Sequence, residues 1–242
     1  MKPVHALLFA PHPDDEVIGC GGVIQQAVEA CQTVRIVFVT SGGGNPQAAS
    51  VVAKKPVADL TPQDFVRLGE TREAEASAAA RELGLGAADL VFLRYPDAGM
   101  TTLTSRVGAS ARNDVMRLLK ESSPSRVYVT HELDKHPDHR VSAELVSAAI
   151  ADARFTGPLF MFVVHGGGHK NWPGFGPVFE ARTVDGVSYP IGVSWPPPIR
   201  VPMTEDQVAT KLRAMQAHAS QWVTDDEFMG RFVKSEEIFW LK

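Results

Sequence analysis

The sequence predicts an α/β fold, a Rossmann-like three-layer sandwich in which helices cover both faces of a mostly parallel sheet. Three observations predict it. Short apolar runs alternate with segments whose apolar residues recur every three or four positions. The β-branched run from Thr33 to Thr40 is of the kind buried on both faces. Capping residues and glycines stand where the intervening helices should start and stop.

Val4 to Ala10 is the first strand, and Val17, Cys20, Ile24, Ala27 and Cys31 form the apolar stripe of the helix after it. Thr33 to Thr40 is the second strand. Ser41-Gly42-Gly43-Gly44 then opens a stretch expected to be irregular as far as Leu60. Thr61, Pro62 and Asp64 cap a long helix that ends near Gly84 and Gly86. Asp89 to Leu93 should be a strand, Ser105 to Glu121 a helix, Arg126 to Thr130 a strand, His139 to Asp152 a helix and Leu159 to Val164 a strand. Beyond His165 come Gly166-Gly167-Gly168, aromatic and proline-rich segments and Pro196-Pro197-Pro198, which read as loops or edge hairpins with Val178 to Thr183 the best strand. Thr204 and Gln207 make a capping box, and Val208, Leu212, Met215, Ala219 and Trp222 make one helical stripe that should pack back on the domain. With no linker or repeat in view, residues 1–242 read as one domain: an α/β core (1–165), a loop-rich region (166–203) and a C-terminal helix and tail (204–242).

The 242 residues carry 24 basic and 28 acidic side chains, a formal charge of −4, and no run of Lys or Arg longer than two. That balance argues against a nucleic-acid or lipid-surface partner and for a small molecule. No apolar stretch approaches the roughly 18 residues of a membrane span, and Val4 to Ala10 is too short for a signal peptide. Cys20 and Cys31, placed on one helix at about 1.5 Å per residue, are too far apart to bridge and read as reduced core residues of a cytoplasmic protein. A homo-oligomer is neither required nor opposed by these features.

Two segments carry the chemistry. His12-Pro13-Asp14-Asp15-Glu16 follows the first strand, and His136-Pro137-Asp138-His139 follows the fourth. Open parallel sheets keep their ligand sites at the carboxyl ends of strands. In the doubly wound order 3-2-1-4-5 the first and fourth strands are neighbours, so the segments would meet although about 120 residues separate them. A proline just inside a helix with Asp in its first turn is ordinary capping chemistry, and one such segment would mean little. Two of them, after adjoining strands, carry His and Asp beyond what capping requires.

With Gly19-Cys20-Gly21-Gly22 in the first helix, these motifs resemble the PIG-L and LmbE-like zinc-dependent de-N-acetylases, which include the N-acetylglucosaminyl-phosphatidylinositol deacetylase. The resemblance runs from about Val4 to Ala143 and again over the last helix, and His165 to Pro202 matches nothing. It implies Zn2+ held by His12, Asp15 and His139, with Asp14 as general base toward a zinc-held water. It implies His136 as electrophile or acid, oriented by Asp138, and Arg72, in an Arg-x-x-Glu segment, as a ligand for the substrate's acyl or sugar oxygens. The implied reaction is hydrolysis of the N-acetyl group of an N-acetylglucosamine-type amino sugar or conjugate. Deacetylases of the thiol-sugar branch carry Tyr two residues before the second motif; Asp134 stands there in this chain, which puts that substrate in doubt.

The residues support these roles on their own chemistry. Two imidazoles and one carboxylate leave a coordination position for water, the pattern of a catalytic zinc site. Adjacent side chains diverge at a helix start, so Asp15 can ligate while Asp14 acts on the water. Asp138 would favour the charged form of His136. The same ligand set makes the facial triad of non-haem iron oxygenases; those enzymes usually use antiparallel barrels and His-x-Asp spacing, whereas His12 and Asp15 are His-x-x-Asp. Hydrolysis of another N-acyl conjugate is a further alternative. A structural zinc is normally closed by four Cys-rich ligands, and neither cysteine suits. On the long helix, Phe65, Leu68, Ala76, Ala79 and Leu83 face the core; Arg72 shares that stripe and needs a partner, Glu75 being the local choice, or a route to the surface. His131 ends the fourth strand, and His165 and His169 flank the triple glycine. Trp172 and Trp195 would be sugar platforms or hydrophobic plugs. Gly42 to Gly44 is not followed by the Lys and Ser/Thr of a phosphate loop.

Overall fold

The structure, a computed structural model, describes residues 3–97, 105–167 and 181–242. Five parallel strands, β1 (Ala6–Ala10), β2 (Val34–Thr40), β3 (Leu90–Tyr95), β4 (Arg126–Thr130) and β5 (Leu159–Phe162), lie in the order β3-β2-β1-β4-β5. Helix α1 (Asp15–Glu29) follows β1, α3 (Pro62–Glu82) leads to β3, α4 (Ser105–Ser122) leads to β4 and α5 (Pro137–Ala153) follows it. Successive residues of β1 point to opposite faces, as a buried strand requires. Ala6, Leu8 and Ala10 join a core with Val17, Ile24 and Ala76 from α1 and α3, while Leu7 and Phe9 join a second core with Val115 and Val146 from α4 and α5. Because Ala6 of β1 pairs with Arg126 of β4, the chains leaving these two strands emerge side by side.

The expected elements before residue 165 are present within a few residues, with two corrections. The stretch expected to be irregular holds α2 (Pro46–Ala53), a short helix capped by Asn45, whose side chain accepts from the Gln47 and Ala48 amides. Asn followed by Pro at the first helical position was the available signal. Cys31 is not a core residue: α1 ends at Glu29, the chain turns at Cys31 with φ 56°, and its side chain is exposed, whereas Cys20 is buried. Asp64 accepts from both the amide and the hydroxyl of Thr61, so the long helix starts as its cap predicts.

The C-terminal third departs further from expectation. β6 (Ala181–Val184) and β7 (Val187–Pro190) form a separate antiparallel hairpin; the rest of the Val178 to Thr183 segment lies outside the described residues. The stripe expected on one helix is divided between α6 (Glu205–Ala217) and α7 (Ala219–Gly230), with Ala219 exposed. His218 breaks the run because it is fully buried with a non-helical backbone, φ −79° and ψ 58°. The tail is not irregular. β9 (Glu236–Leu241) pairs antiparallel with β5, and β8 (Ile199–Pro202) pairs antiparallel with β9, extending the sheet to seven strands. Pro202 is tolerated because β8 is an edge strand.

The glycines of α1 let these C-terminal elements and β5 approach. A Cβ on Gly19 would lie 2.1 Å from a ring atom of Phe162, and one on Gly21 would lie 3.1 Å from Cγ of Lys211. Lys211 of α6 and Glu237 of β9 form a buried ion pair at 2.6 Å. Lys211 also donates to the Ile18 carbonyl, and Glu237 accepts from the Gly22 and Val23 amides, so the pair ties α6 and β9 to α1. Gly19→Ala should lower unfolding free energy by about 1–3 kcal/mol through overpacking against Phe162. Urea denaturation checks this, and an unchanged midpoint would show that α1 and β5 are not in close contact.

Candidate metal centre

The site is built where two strands hand over to two helices. After β1, Asp14 stands at the N-cap of α1, so Asp15 enters the first helical turn. After β4, His136 is the N-cap of α5, and its Nδ1 accepts from the Asp138 amide at 3.2 Å. Three donor atoms then meet. His12 Nδ1, Asp15 Oδ2 and His139 Nε2 are each 3.2 Å from the other two. All three side chains are buried. Tetrahedral zinc with ligands at about 2.0–2.1 Å spaces them about 3.3 Å apart, so this donor set fits a divalent cation in both spacing and chemistry.

Looser trios also converge: His12, His136 and His139, and His12, Asp97 and Asp138, have ligand atoms within 4.8 Å of one another. The tighter triangle is preferred because it leaves the remaining groups in supporting positions. His12 Nε2 lies 3.1 Å from Asp97 Oδ1 and 3.4 Å from Asp138 Oδ2, and His139 Nδ1 lies 3.3 Å from Asp134 Oδ1. Metal-binding imidazoles are commonly backed by carboxylates in this way. Burial alone would depress both rings; Asp97, Asp138 and Asp15 nevertheless hold His12 well above its ordinary value, and Asp15 and Asp134 raise His139 to about 9. Asp15, which burial would raise, is held well below the carboxylate range chiefly by His139. A cation bound by these groups would displace protons from the rings.

Asp14 is next to the triangle and differently engaged. Its Oδ2 is 3.0 Å from Arg72 Nη2, and burial, opposed by Arg72, pushes its carboxyl up to about 6. Arg72 is buried on the inner side of α3 and donates to the Pro13 carbonyl at 2.6 Å and the Gly42 carbonyl at 2.7 Å. Its partner is therefore Asp14 and the loop carbonyls, not Glu75, which instead accepts from the amide and hydroxyl of Ser220. The two terminal nitrogens of Arg72 thus bind the site's own loops, and its Nε has no hydrogen-bond partner among the described residues. The His136 ring centroid is 4.7 Å from that of His12 and 4.9 Å from that of His139. Desolvation, with the neighbouring His12, His139 and His165, depresses His136 well below its ordinary value, so the ring is neutral. The Asp138 amide donates to His136 Nδ1, and the Asp138 carboxylate lies 3.4 Å from His12 Nε2.

Comparison with known proteins now bears on the site. A family model described as PIG-L, GlcNAc-PI de-N-acetylase, matches residues 7–150. The chain belongs to the PIG-L family. A 1D-myo-inositol 2-acetamido-2-deoxy-alpha-D-glucopyranoside deacetylase of Mycobacterium sp. (strain KMS) is 30% identical over 242 residues, covering 90% of this chain and 74% of that protein. The N,N'-diacetylchitobiose deacetylase of Pyrococcus horikoshii superposes with a TM-score of 0.68 at 20% identity, over 98% of this chain and 83% of that one. The 4-carboxy-2-hydroxymuconate hydratase of Pseudomonas putida superposes with a TM-score of 0.67 at 18% identity, over 100% of this chain and 96% of that one. A deacetylase and a hydratase on one fold mean that side chains, not architecture, must decide the chemistry.

In this PIG-L chain several contributors take their places only through contacts between distant segments. Asp97 follows β3, Asp134 lies in the loop after β4, and Glu16 and His218 form a buried contact across 202 positions. His131 is a core residue, edge-on to Trp240 at 5.6 Å with its Nδ1 accepting from the Leu133 amide. His165 reaches the site, 5.1 Å from the His139 ring centroid and stacked on Phe228 of α7. Trp195 packs on Tyr189 with Arg182 over its ring, as a plug. Gly168, His169 and Trp172 lie outside the described residues. A cavity of about 260 Å³ beside His165 is lined by Gly166, Gly167, Ser188, Phe228 and Arg231. A larger one, about 370 Å³, opens between α1 and the amino end of the sheet and contains no metal-site residue. Among the described residues no helix is long and apolar enough to cross a membrane. His139→Ala should abolish stoichiometric zinc binding, measured by elemental analysis after dialysis; full retention would remove His139 from the ligand set.

Proposed function

We propose that this PIG-L protein is a zinc-dependent hydrolase that removes the acetyl group from the nitrogen of an N-acetylglucosamine-type sugar or conjugate. The observation that carries the proposal is the 3.2 Å triangle of His12, Asp15 and His139 with a second carboxylate, Asp14, and a third imidazole, His136, directly beside it. The names of the Mycobacterium and Pyrococcus relatives support the amide of a 2-acetamido sugar as substrate. A zinc ion held there would activate a water and polarise the acyl carbonyl.

The chain's own groups supply the rest. Asp14, pushed up to about 6 by burial, is ionised at neutral pH yet basic enough to take the proton of the attacking water. His136 receives a hydrogen bond at Nδ1, so the proton of its neutral ring sits on Nε2. That N–H donates to the acyl oxygen as negative charge develops there. In this reading His136 acts as a hydrogen-bond donor to that oxygen. Asp14, having taken a proton, returns it to the departing amine. Arg72, 3.0 Å from Asp14 Oδ2, keeps the Asp14 carboxylate aimed. Asp134, where the thiol-sugar branch has Tyr, backs His139 and so contributes to the metal site.

The direct test is a screen of N-acetylglucosamine, its glycosides and N,N'-diacetylchitobiose with the zinc-loaded protein, read by acetate release. Acetate from at least one 2-acetamido sugar is expected; release only from N-acyl amino acids would reassign the substrate class. Asp14→Asn should keep its zinc and lose about 10²–10⁴-fold in kcat; loss of the metal instead would make Asp14 a ligand. His136→Ala should lower kcat about 10²–10³-fold with little change in KM, since it meets charge that forms only during reaction. An effect confined to KM would make His136 a substrate-binding group.

A further inference from the structure

Asp14 has an unusual backbone. Its φ of 139° and ψ of −31° lie in a region that side-chain-bearing residues rarely occupy, and such conformations persist only where the surroundings over-determine them. The surroundings here are specific. The Asp14 amide donates to Glu16 Oε2 at 2.8 Å, and Glu16 Oε1 lies 2.8 Å from His218 Nε2. Glu16 and His218 are both buried, and His218 Nδ1 has no hydrogen-bond partner among the described residues, so Nε2–H is the donor to Glu16. On the other side of the same peptide unit, the Pro13 carbonyl accepts from Arg72. Both polar atoms of the Pro13–Asp14 peptide are therefore pinned by buried side chains, Glu16 of α1 and Arg72 of α3, and Glu16 is in turn held by His218.

His218 is itself held in place. It occupies the junction between α6 and α7, its amide donates to the Met215 carbonyl, and its carbonyl accepts from the Gln221 and Trp222 amides. Glu75 of α3 binds the Ser220 amide and hydroxyl, anchoring the start of α7. The break in the C-terminal helical stripe thus places one imidazole N–H against Glu16. We propose that Glu16 and His218 are positioning residues that hold the Asp14 peptide in its strained conformation, so that Asp14 faces the attacking water instead of joining Asp15 on the metal. The proposal rests on Asp14 being the general base.

The test uses the zinc-loaded full chain with N-acetylglucosamine as probe and acetate release as readout. His218→Leu keeps bulk and removes the donor; His218→Gln restores an N–H near the Nε2 position. His218→Leu should retain stoichiometric zinc and near-parental KM while kcat falls on the order of 10²-fold, the size of loss that a misplacement of about 1 Å produces. His218→Gln should recover most of that loss. Hydrogen exchange at the Asp14 amide, which needs no turnover, should accelerate at least about tenfold in His218→Leu while the β1 amides keep their protection, because only the local hydrogen bond to Glu16 is released. If His218→Leu does not fold, Glu16→Gln carries the same expectations. Parental kcat and parental Asp14 exchange in a folded variant would overturn the proposal, as would equal impairment of the Leu and Gln variants or loss of zinc in step with activity. Combining His218→Leu with Asp14→Asn separates the two ideas. Asp14→Asn that keeps full activity defeats the general-base reading. An inactive Asp14→Asn beside a fully active His218→Leu defeats only the clamp, and a further drop in the double variant shows that His218 does not act through Asp14.

Discussion

The adjacency of β1 and β4 in a parallel sheet is the constraint on which the rest of the molecule depends. It brings two strand ends, more than a hundred residues apart in the chain, close enough for His12, Asp15 and His139 to place three donor atoms 3.2 Å from one another. Such a cluster is electron-rich and buried, and it is stable only when protons or a cation lie between the donors. Everything nearby serves that requirement. Asp97, Asp138 and Asp134 back the rings of His12 and His139, and the helix starts at Asp15 and Pro137 set the directions in which the side chains leave the chain.

The two neighbouring aspartates show how position divides labour. Asp15 sits in the first turn of α1, with His139 and His12 against it, and is held strongly acidic, the state suited to a ligand. Asp14, one residue earlier, is turned away by its backbone and pushed toward a higher value by burial, the state suited to a base. Environment, not residue type, makes the difference. Arg72 shows the same logic. Its buried charge is matched by the Asp14 carboxylate and two loop carbonyls, and the orientation of the Asp14 carboxylate is a by-product of satisfying the arginine.

Much of this could be read from the residues in order. Apolar period and capping signals locate the first five strands and the longer helices between them, because those signals are local, while the short α2 is missed. The strand order followed from the fold class, and with it the meeting of the two His-Pro-Asp motifs. What could not be read depends on contacts between distant segments. His218 lies within a segment that reads as one continuous helix, and only the buried approach to Glu16, 202 residues away, shows what occupies the break between α6 and α7. β9 carries Glu236 and Glu237 at its start, which disguises a sheet strand until Lys211 is seen to neutralise Glu237. Asp134 stood out by departing from a family pattern, yet its place behind His139 needed coordinates. Arg72 was placed correctly on a buried stripe, but the local choice of partner, Glu75, lost to a carboxylate brought in by the fold.

The central claim is that one divalent ion is shared by His12, Asp15 and His139, with Asp14 beside it and free of it. Anomalous diffraction from zinc-loaded crystals, collected on either side of the zinc absorption edge, tests this most directly. The account predicts a single strong peak within bonding distance of His12 Nδ1, Asp15 Oδ2 and His139 Nε2, with the Asp14 carboxylate outside the coordination sphere. A peak ligated by Asp14, or one held by His12 with Asp97 and Asp138, would contradict it.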